Sequence, residues 1–292
     1  MNRPPAAYPF ATRLLSDAVG MEIRGVDLSR PLDHGTVEAI LEAFHGHSIL
    51  LFRDQALTPE SLIAFSENFG DIDLHIDPQY RLDGYSEIIV VGNLVVDGVM
   101  TSLFVNIDEE WHTDRSYMAH PSLGSLFYAV EAPPEGAATR FAGAYAAYDA
   151  LPAETKLRID GLRAIHDMAR LDVHLRTQDP TRPPLSDAQR REAPPVAHPI
   201  VRTHPVTGRK ALYICPEVIA GVEGLPEDAG RALIRELTDH ASHTRFVYTH
   251  QWQNGDLVVW DNRCTLHTAT PFDTDKYRRI MWRTTIEGDR PF

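Results

Sequence analysis

The feature that most limits the fold of this chain is a short apolar stretch, rich in β-branched residues, that recurs along its length. Such stretches fall at Ser48–Phe52, Glu87–Val91, Ser125–Val130, Pro199–Val201, Lys210–Ile214, Asp256–Trp260 and Arg279–Thr285. Short strands separated by turns predict a mainly β protein, a sandwich or barrel rather than a doubly wound sheet. Flanking helices are also expected. Thr58-Pro59-Glu60 supplies an N-cap, a proline at the first helical position and early negative charge; Leu62, Phe65 and Phe69 share a face, and Gly70 is expected to end the helix. Two more helices are expected from Pro152 to about Leu162 and from Pro226 to about Ala241. In the last, Leu233, Ile234, Leu237 and Ala241 form an apolar stripe suited to core packing. No repeat or low-complexity tract offers a linker, so residues 1–292 read as a single domain. Within it, 171–195, rich in Arg, Pro and Asp, is either an active-site lid or a surface insertion.

Composition narrows the function classes. Hydrophobic residues make up 43% of the 292 positions and charged residues 24%, enough to bury a core. A net charge of −13 argues against nucleic acid as a partner, since such binding uses a basic face that releases counterions. With only Cys215 and Cys264, a disulfide framework and a Cys-rich zinc site are both excluded, and reduced thiols in a cytoplasmic protein are expected. The N-terminus lacks a signal-peptide apolar region, and no stretch approaches the ~20 apolar residues of a membrane span. A small-molecule substrate and a homo-oligomer are the expected partners. No Gly-x-Ser-x-Gly elbow or Gly-x-Gly-x-x-Gly turn marks a hydrolase or a Rossmann oxidoreductase.

Two histidines and one carboxylate on one face of an octahedron hold non-haem iron and leave positions open. A His-x-Asp pair on an extended segment can provide two of them, because residues i and i+2 project to the same side. The pair is weak evidence by itself: about two such triplets are expected by chance from this composition. Two occur, His75-Ile76-Asp77 and His112-Thr113-Asp114. Spacing does not choose between them; the surroundings do. Trp111 precedes the second pair, Trp260-Asp261-Asn262-Arg263-Cys264-Thr265-Leu266-His267 lies far downstream, and Arg278-Arg279-Ile280-Met281-Trp282-Arg283 follows.

These segments resemble the taurine dioxygenase/2,4-dichlorophenoxyacetate dioxygenase (TauD/TfdA) family, which reads WH(T/S)D, then WDNR-x3-H, then a paired-arginine segment. The likeness extends over nearly the whole chain, including Gly20–Leu28, Tyr145–Pro152 and Ile286–Asp289. It implies a double-stranded β-helix (jelly roll) and an iron(II)- and 2-oxoglutarate-dependent dioxygenase that uses O2. His112, Asp114 and His267 are the implied metal ligands, with His267 standing 153 residues after Asp114. Arg279 is implied to clamp the distal carboxylate of 2-oxoglutarate, a task that suits the planar guanidinium fork. Thr139 is implied to support it. Where the family has Gly-Gly-Asp-Thr, this chain has Gly136-Ala137-Ala138-Thr139, which puts the shape of that turn in question.

Arg283, four residues after Arg279, is implied to hold an anionic group of the substrate; a structural ion pair is the plain alternative. His75 and Asp77 fall at the family's substrate segment. Asp77 stands where a histidine would meet a sulfonate, so taurine is disfavoured, and a carboxylate such as an aryloxyalkanoate is the first expectation. Hydroxylation could then lead to cleavage of the product. The rival readings are a jelly-roll metal- or small-molecule-binding protein without oxygenase activity and a zinc hydrolase, which would need neither 2-oxoglutarate nor oxygen.

Overall fold

A computed structural model describes residues 8–74, 78–103, 110–178 and 184–292. The chain opens with β1 (Ala11–Leu14), β2 (Met21–Arg24), helix α1 (His34–His47) and β3 (Ile49–Phe52). Helix α2 (Pro59–Ser66) leads to β4 (Arg81–Leu82), β5 (Tyr85–Gly92) and a small hairpin of β6 (Val95–Val96) and β7 (Val99–Met100). Next come β8 (Gly124–Glu131), β9 (Thr139–Gly143) and helices α3 (Ala144–Asp149) and α4 (Ala153–Ile159). The middle holds β10 (Arg163–His166), α5 (Met168–Gln178), α6 (Asp187–Glu192) and β11 (Val196–Pro199). After them come β12 (Val201–Thr203), β13 (Lys210–Leu212) and β14 (Ile219–Val222). Helix α7 (Glu227–Ala241) and strands β15 (Val247–His250), β16 (Leu257–Asp261), β17 (Thr265–Ala269) and β18 (Ile280–Ile286) complete it.

Apolar character on both faces puts β3, β16 and β8 at the centre of an eight-stranded sheet, in the order β1-β2-β3-β16-β8-β18-β5-β4. One face is covered by α1 and α2, where Ile40, Phe44, Leu62 and Phe65 pack on Leu50, Phe52, Leu126 and Leu257. The other face meets a three-stranded sheet, β15-β9-β17, across Phe127, Phe141, Trp252, Trp260 and Met281. The far side of that small sheet packs on α3 and α7 through Ala142, Leu266, Leu233, Ile234 and Leu237. The protein is thus strand-rich with flanking helices. The candidate site lies at the junction of the two sheets, where β17 and the loop before β8 come together.

Three expectations shift in detail. Helix α2 has its Thr58 cap and capping box but stops at Ser66, because the Asn68 amide takes the carbonyls of Ala64 and Phe65 before Gly70 is reached. The stretch Pro199–Val201 is a crossing point between sheets: buried Ile200 donates to Leu162 O and accepts from Tyr213 N, so β11 pairs with β10 while β12 pairs with β13. Segment 171–195 carries the end of α5 and all of α6, with residues 179–183 outside the described residues. Among the described residues no helix is long and apolar enough to cross a membrane.

Candidate metal centre

His112 and His267 are joined by their backbones before their side chains meet. Each backbone N–H donates to the other's carbonyl, at 2.9 and 2.8 Å, an isolated antiparallel bridge that hangs the His112 segment on β17. The sequence expectation of an extended His-x-Asp strand holds only for His112. The chain turns at Asp114, and Arg115 takes a left-handed φ of 54°. Thr113 Oγ donates to Asn262 O at 2.7 Å and locks the turn to the Trp260–His267 loop.

The result is a triad in which Asp114 and His267 are buried and His112 is half-buried. One nitrogen each of His112 and His267 and one oxygen of Asp114 lie within 4.8 Å of one another, and the two imidazole rings are 4.2 Å apart. Asp114 Oδ2 is taken up by the protein: it accepts from Arg283 Nη2 at 2.9 Å, Ser125 Oγ at 3.1 Å and Asn262 Nδ2 at 3.3 Å. Oδ1 is the oxygen turned to His267, 3.8 Å from Nε2. Burial alone would raise the Asp114 carboxyl. The positive charge of Arg283, with His267, His112 and the Ser125 hydrogen bond, outweighs it and holds the group well below the ordinary carboxylate range. His267 is pushed down to about 3 by burial, with His112 adding to the effect, so its ring is neutral at physiological pH. His267 Nδ1 is buried with no hydrogen-bond partner among the described residues. An ionised carboxylate and a neutral imidazole whose Nε2 is turned to Asp114 Oδ1, set beside a second imidazole, fit a divalent cation.

The groups expected to hold a cosubstrate flank this triad. Thr139, at the start of β9, is buried and accepts from Trp252 Nε1 at 3.0 Å, which leaves its hydroxyl proton to donate. Arg279 is buried too, its guanidinium 5.5 Å from the Phe127 ring centroid, while neighbouring Arg278 is 61% exposed beside Glu131. The two neighbouring arginines are thus separated, one buried beside Phe127 and the other exposed beside Glu131. Phe127 stands edge-on to both Trp252 and Trp260, and Trp260 lies 5.1 Å from His267, so Thr139, Arg279 and the triad share one aromatic framework. Gly92 makes the fit possible: its φ is 150°, and a Cβ there would come within 1.8 Å of Arg279 O. The altered turn needs a left-handed backbone at a residue with a side chain. Ala137 adopts φ 49°, while Ala137 N and Ala138 N are tied to Pro271 O and Thr270 Oγ.

Arg283 lies on β18 with its guanidinium on Asp114, so the structural ion pair is real. Its Nε is buried without a hydrogen-bond partner among the described residues and remains for another acceptor. His75 and Asp77 lie outside the described residues. Of the other histidines, His204 is fully committed to Asp261, and His198 Nε2 meets Met118 O at 2.9 Å. His166 is buried 5.2 Å from the His198 ring, both of its nitrogens lacking a hydrogen-bond partner among the described residues. Sequence reasoning missed Ser125 and Glu217, whose Oε1 is 3.6 Å from His112 Nδ1. Nothing local marks either residue; both arrive by long-range packing.

The sequence matches the profile of the family described as "Taurine catabolism dioxygenase TauD, TfdA family" over residues 11–285. It is 36% identical over 281 residues to the alpha-ketoglutarate-dependent 2,4-dichlorophenoxyacetate dioxygenase of Cupriavidus pinatubonensis, covering 92% of this chain and 94% of that one. It is 35% identical over 283 residues to the (S)-phenoxypropionate/alpha-ketoglutarate-dioxygenase of Sphingobium herbicidovorans, covering 94% of each. The fold superimposes on the crystal structure of AAD-2 in complex with Mn(II) and N-oxalylglycine with a TM-score of 0.80 and 32% identity, over 97% of this chain and 98% of that one. The chain belongs to the TauD, TfdA family.

Proposed function

We propose that this protein is an Fe(II)- and 2-oxoglutarate-dependent dioxygenase that hydroxylates a small anionic organic substrate, either a carboxylate such as an aryloxyalkanoate or a sulfonate. In this reading residues 1–292 form one domain on a double-stranded β-helix (jelly roll). The observation that carries it is the division of labour at Asp114: three protein donors claim Oδ2, while Oδ1 and the buried His267 ring stand open beside His112. A family relationship to alpha-ketoglutarate-dependent dioxygenases of aryloxyalkanoates supports the chemistry.

His112, Asp114 and His267 would hold the iron, which when bound supplies the oxygen chemistry coupling decarboxylation of 2-oxoglutarate to hydroxylation. The chain's own work is to bind and orient. Arg279 pairs with the distal carboxylate of 2-oxoglutarate in a site walled by Phe127, where burial strengthens the pair. Thr139 donates its hydroxyl proton to the same carboxylate. Arg283 keeps Asp114 ionised through Nη2 and offers Nε to the substrate's anionic group. His75 and Asp77, outside the described residues, are assigned to substrate recognition by the family resemblance alone, with the Asp77 carboxylate disfavouring taurine. A hydroxyl placed on the carbon beside an ether oxygen gives a hemiacetal, which breaks down to a phenol and a carbonyl product without further help from the protein.

The test is succinate formation by the Fe(II)-loaded protein with 2-oxoglutarate and oxygen, against taurine, alkylsulfonates, aryloxyacetates and both enantiomers of aryloxypropionates. Stimulation by an aryloxyalkanoate and none by taurine is expected. A metal-loaded protein that forms no succinate with or without any of these substrates would return the chain to the class of binding proteins.

A further inference from the structure

Behind His112, on the side away from Asp114 and His267, a carboxylate is built into the support of the metal ligand. His112 Nδ1 lies 2.9 Å from Glu110 O, the partner it needs if the ring is to present Nε2 to a cation. The Glu217 carboxylate flanks the same nitrogen, with Oε1 3.6 Å from Nδ1. Its other oxygen, Oε2, is 3.9 Å from Nε2 of His174 on α5. Glu217 is only 10% exposed, and the loop that carries it is firm: Val218 N and Ile219 N both donate to Cys215 O, and Val218 O accepts from Asp167 N just before α5. On its outer side is a cavity of about 440 Å³ between α5 and α7, lined also by Arg170, His174 and Arg235.

The charges give this position a purpose. Arg283 sits on Asp114 Oδ2 and offsets that carboxylate, and imidazole ligands bring no negative charge, so the three ligands together with Arg283 present little net negative charge to a divalent cation. Glu217 restores a negative charge next to the ligand set without occupying a coordination position. Metal-bound histidines characteristically direct their second nitrogen at a carboxylate or carbonyl, which fixes the ring and makes it a stronger donor; His112 has both within reach.

We propose that Glu217 is a positioning residue for His112 and that His174 holds Glu217 in place, so that the docking of α5 sets how tightly the site binds its metal. The proposal rests on the reading of His112, Asp114 and His267 as metal ligands.

The experiment is an anaerobic titration of the metal-free full chain with Co(II), without 2-oxoglutarate, followed by visible absorption. Wild type, H112A, E217Q, H174A and E223Q are compared, the last removing an exposed carboxylate that pairs with Arg163. Wild type and E223Q are expected to bind one equivalent alike, and H112A none. E217Q is expected to bind ~10–100-fold more weakly with an altered spectrum but an unchanged melting temperature, the range seen when outer partners of metal ligands are lost. H174A is expected to weaken binding severalfold and checks the same link from a half-exposed position where folding is not at stake. Wild type that takes up no Co(II) would overturn the metal centre and this proposal together. One equivalent bound by wild type and equally tightly by E217Q and H174A would overturn the role of Glu217 alone. Weakening in E217Q with none in H174A would overturn the α5 link.

Discussion

Two buried clusters in this protein have the composition of a metal site, and they differ in what their lone pairs are doing. His112, Asp114 and His267 form one; His204, Asp261 and Cys264 form the other, with their ligand atoms equally close. In the second cluster each donor is spent. His204 Nδ1 accepts from the backbone of Val206 and Thr207, which leaves the Nε2 proton for Asp261 Oδ2 at 3.0 Å. Asp261 also takes both prongs of Arg263, at 2.8 and 2.7 Å, and this charge outweighs burial to hold its carboxyl low. Burial pushes the Cys264 thiol up, so it stays protonated and donates to Ser48 Oγ. The first cluster, with a second histidine in place of the cysteine, has Asp114 Oδ1 and the His267 ring left open. Proximity of ligand types marks both; the unspent lone pair separates a metal centre from a structural network. The second cluster has its own task, since its aspartate and arginine stiffen the loop that delivers His267.

Four outcomes would break or sharpen that contrast. The largest is loss of function in the open cluster: H112A and D114N are expected to abolish both metal binding and 2-oxoglutarate-dependent succinate formation while remaining folded, as read by stoichiometric metal analysis and activity. Retained coupled turnover in H112A would redirect attention to His75 and Asp77.

In the closed cluster, D261N is expected to cost ~3–5 kcal/mol of stability in urea unfolding, because it leaves the buried Arg263 guanidinium uncompensated. The metal-to-protein ratio of the folded fraction should stay near that of wild type. A D261N protein of normal stability that has lost its metal would reverse the two assignments.

Acid should distinguish the metal-free protein next. The folded state holds His267 and His166 near 3 and His198 near 4, all lowered chiefly by burial from an ordinary 6.5. Below 6.5 the unfolded chain binds these protons and the folded one does not. Their contribution is therefore complete above that pH and is lost as pH falls towards 3, with a drop on the order of a few kcal/mol for each ring expected by pH 4. Urea unfolding of metal-free protein at pH 7 and pH 4.5 reads the slope. Stability that rises on acidification would contradict neutral buried rings.

The smallest effect is at the cosubstrate. T139V removes one hydrogen bond to a charged group, worth ~1.5 kcal/mol or about tenfold in KM for 2-oxoglutarate, with kcat little changed. An unchanged KM would make Thr139 a turn hydroxyl and no more.

How much of this could be read from the sequence depended on whether the signal was local. The central strands β3, β8 and β16 were visible because burial on both faces demands apolar runs. The strands that carry the site, β9 (TRFAG) and β17 (TLHTA), were not, since their mix of polar and small residues has neither alternation nor a continuous run. Helix α1 carries a legible sign that the strand pattern does not include: Val37, Ile40, Leu41 and Phe44 at helical spacing behind the Asp33 cap. The His112, Asp114 and His267 set was found through ordered motifs, whereas the clamp on Asp114 could not be. Ser125, Asn262 and Arg283 come from three separate segments and meet only through the pairing of β8 with β16 and β18. For the same reason the position of Arg283 in the paired-arginine segment did not tell that it would rest on Asp114.

The most direct test of the central claim is succinate release measured side by side in Fe(II)-loaded wild type, H112A and H204F under oxygen with 2-oxoglutarate. The account predicts succinate from wild type and from whatever fraction of H204F is folded, and none from H112A. Turnover that survives in H112A and disappears in folded H204F would contradict it, and would place the chemistry at the cluster assigned here to structure.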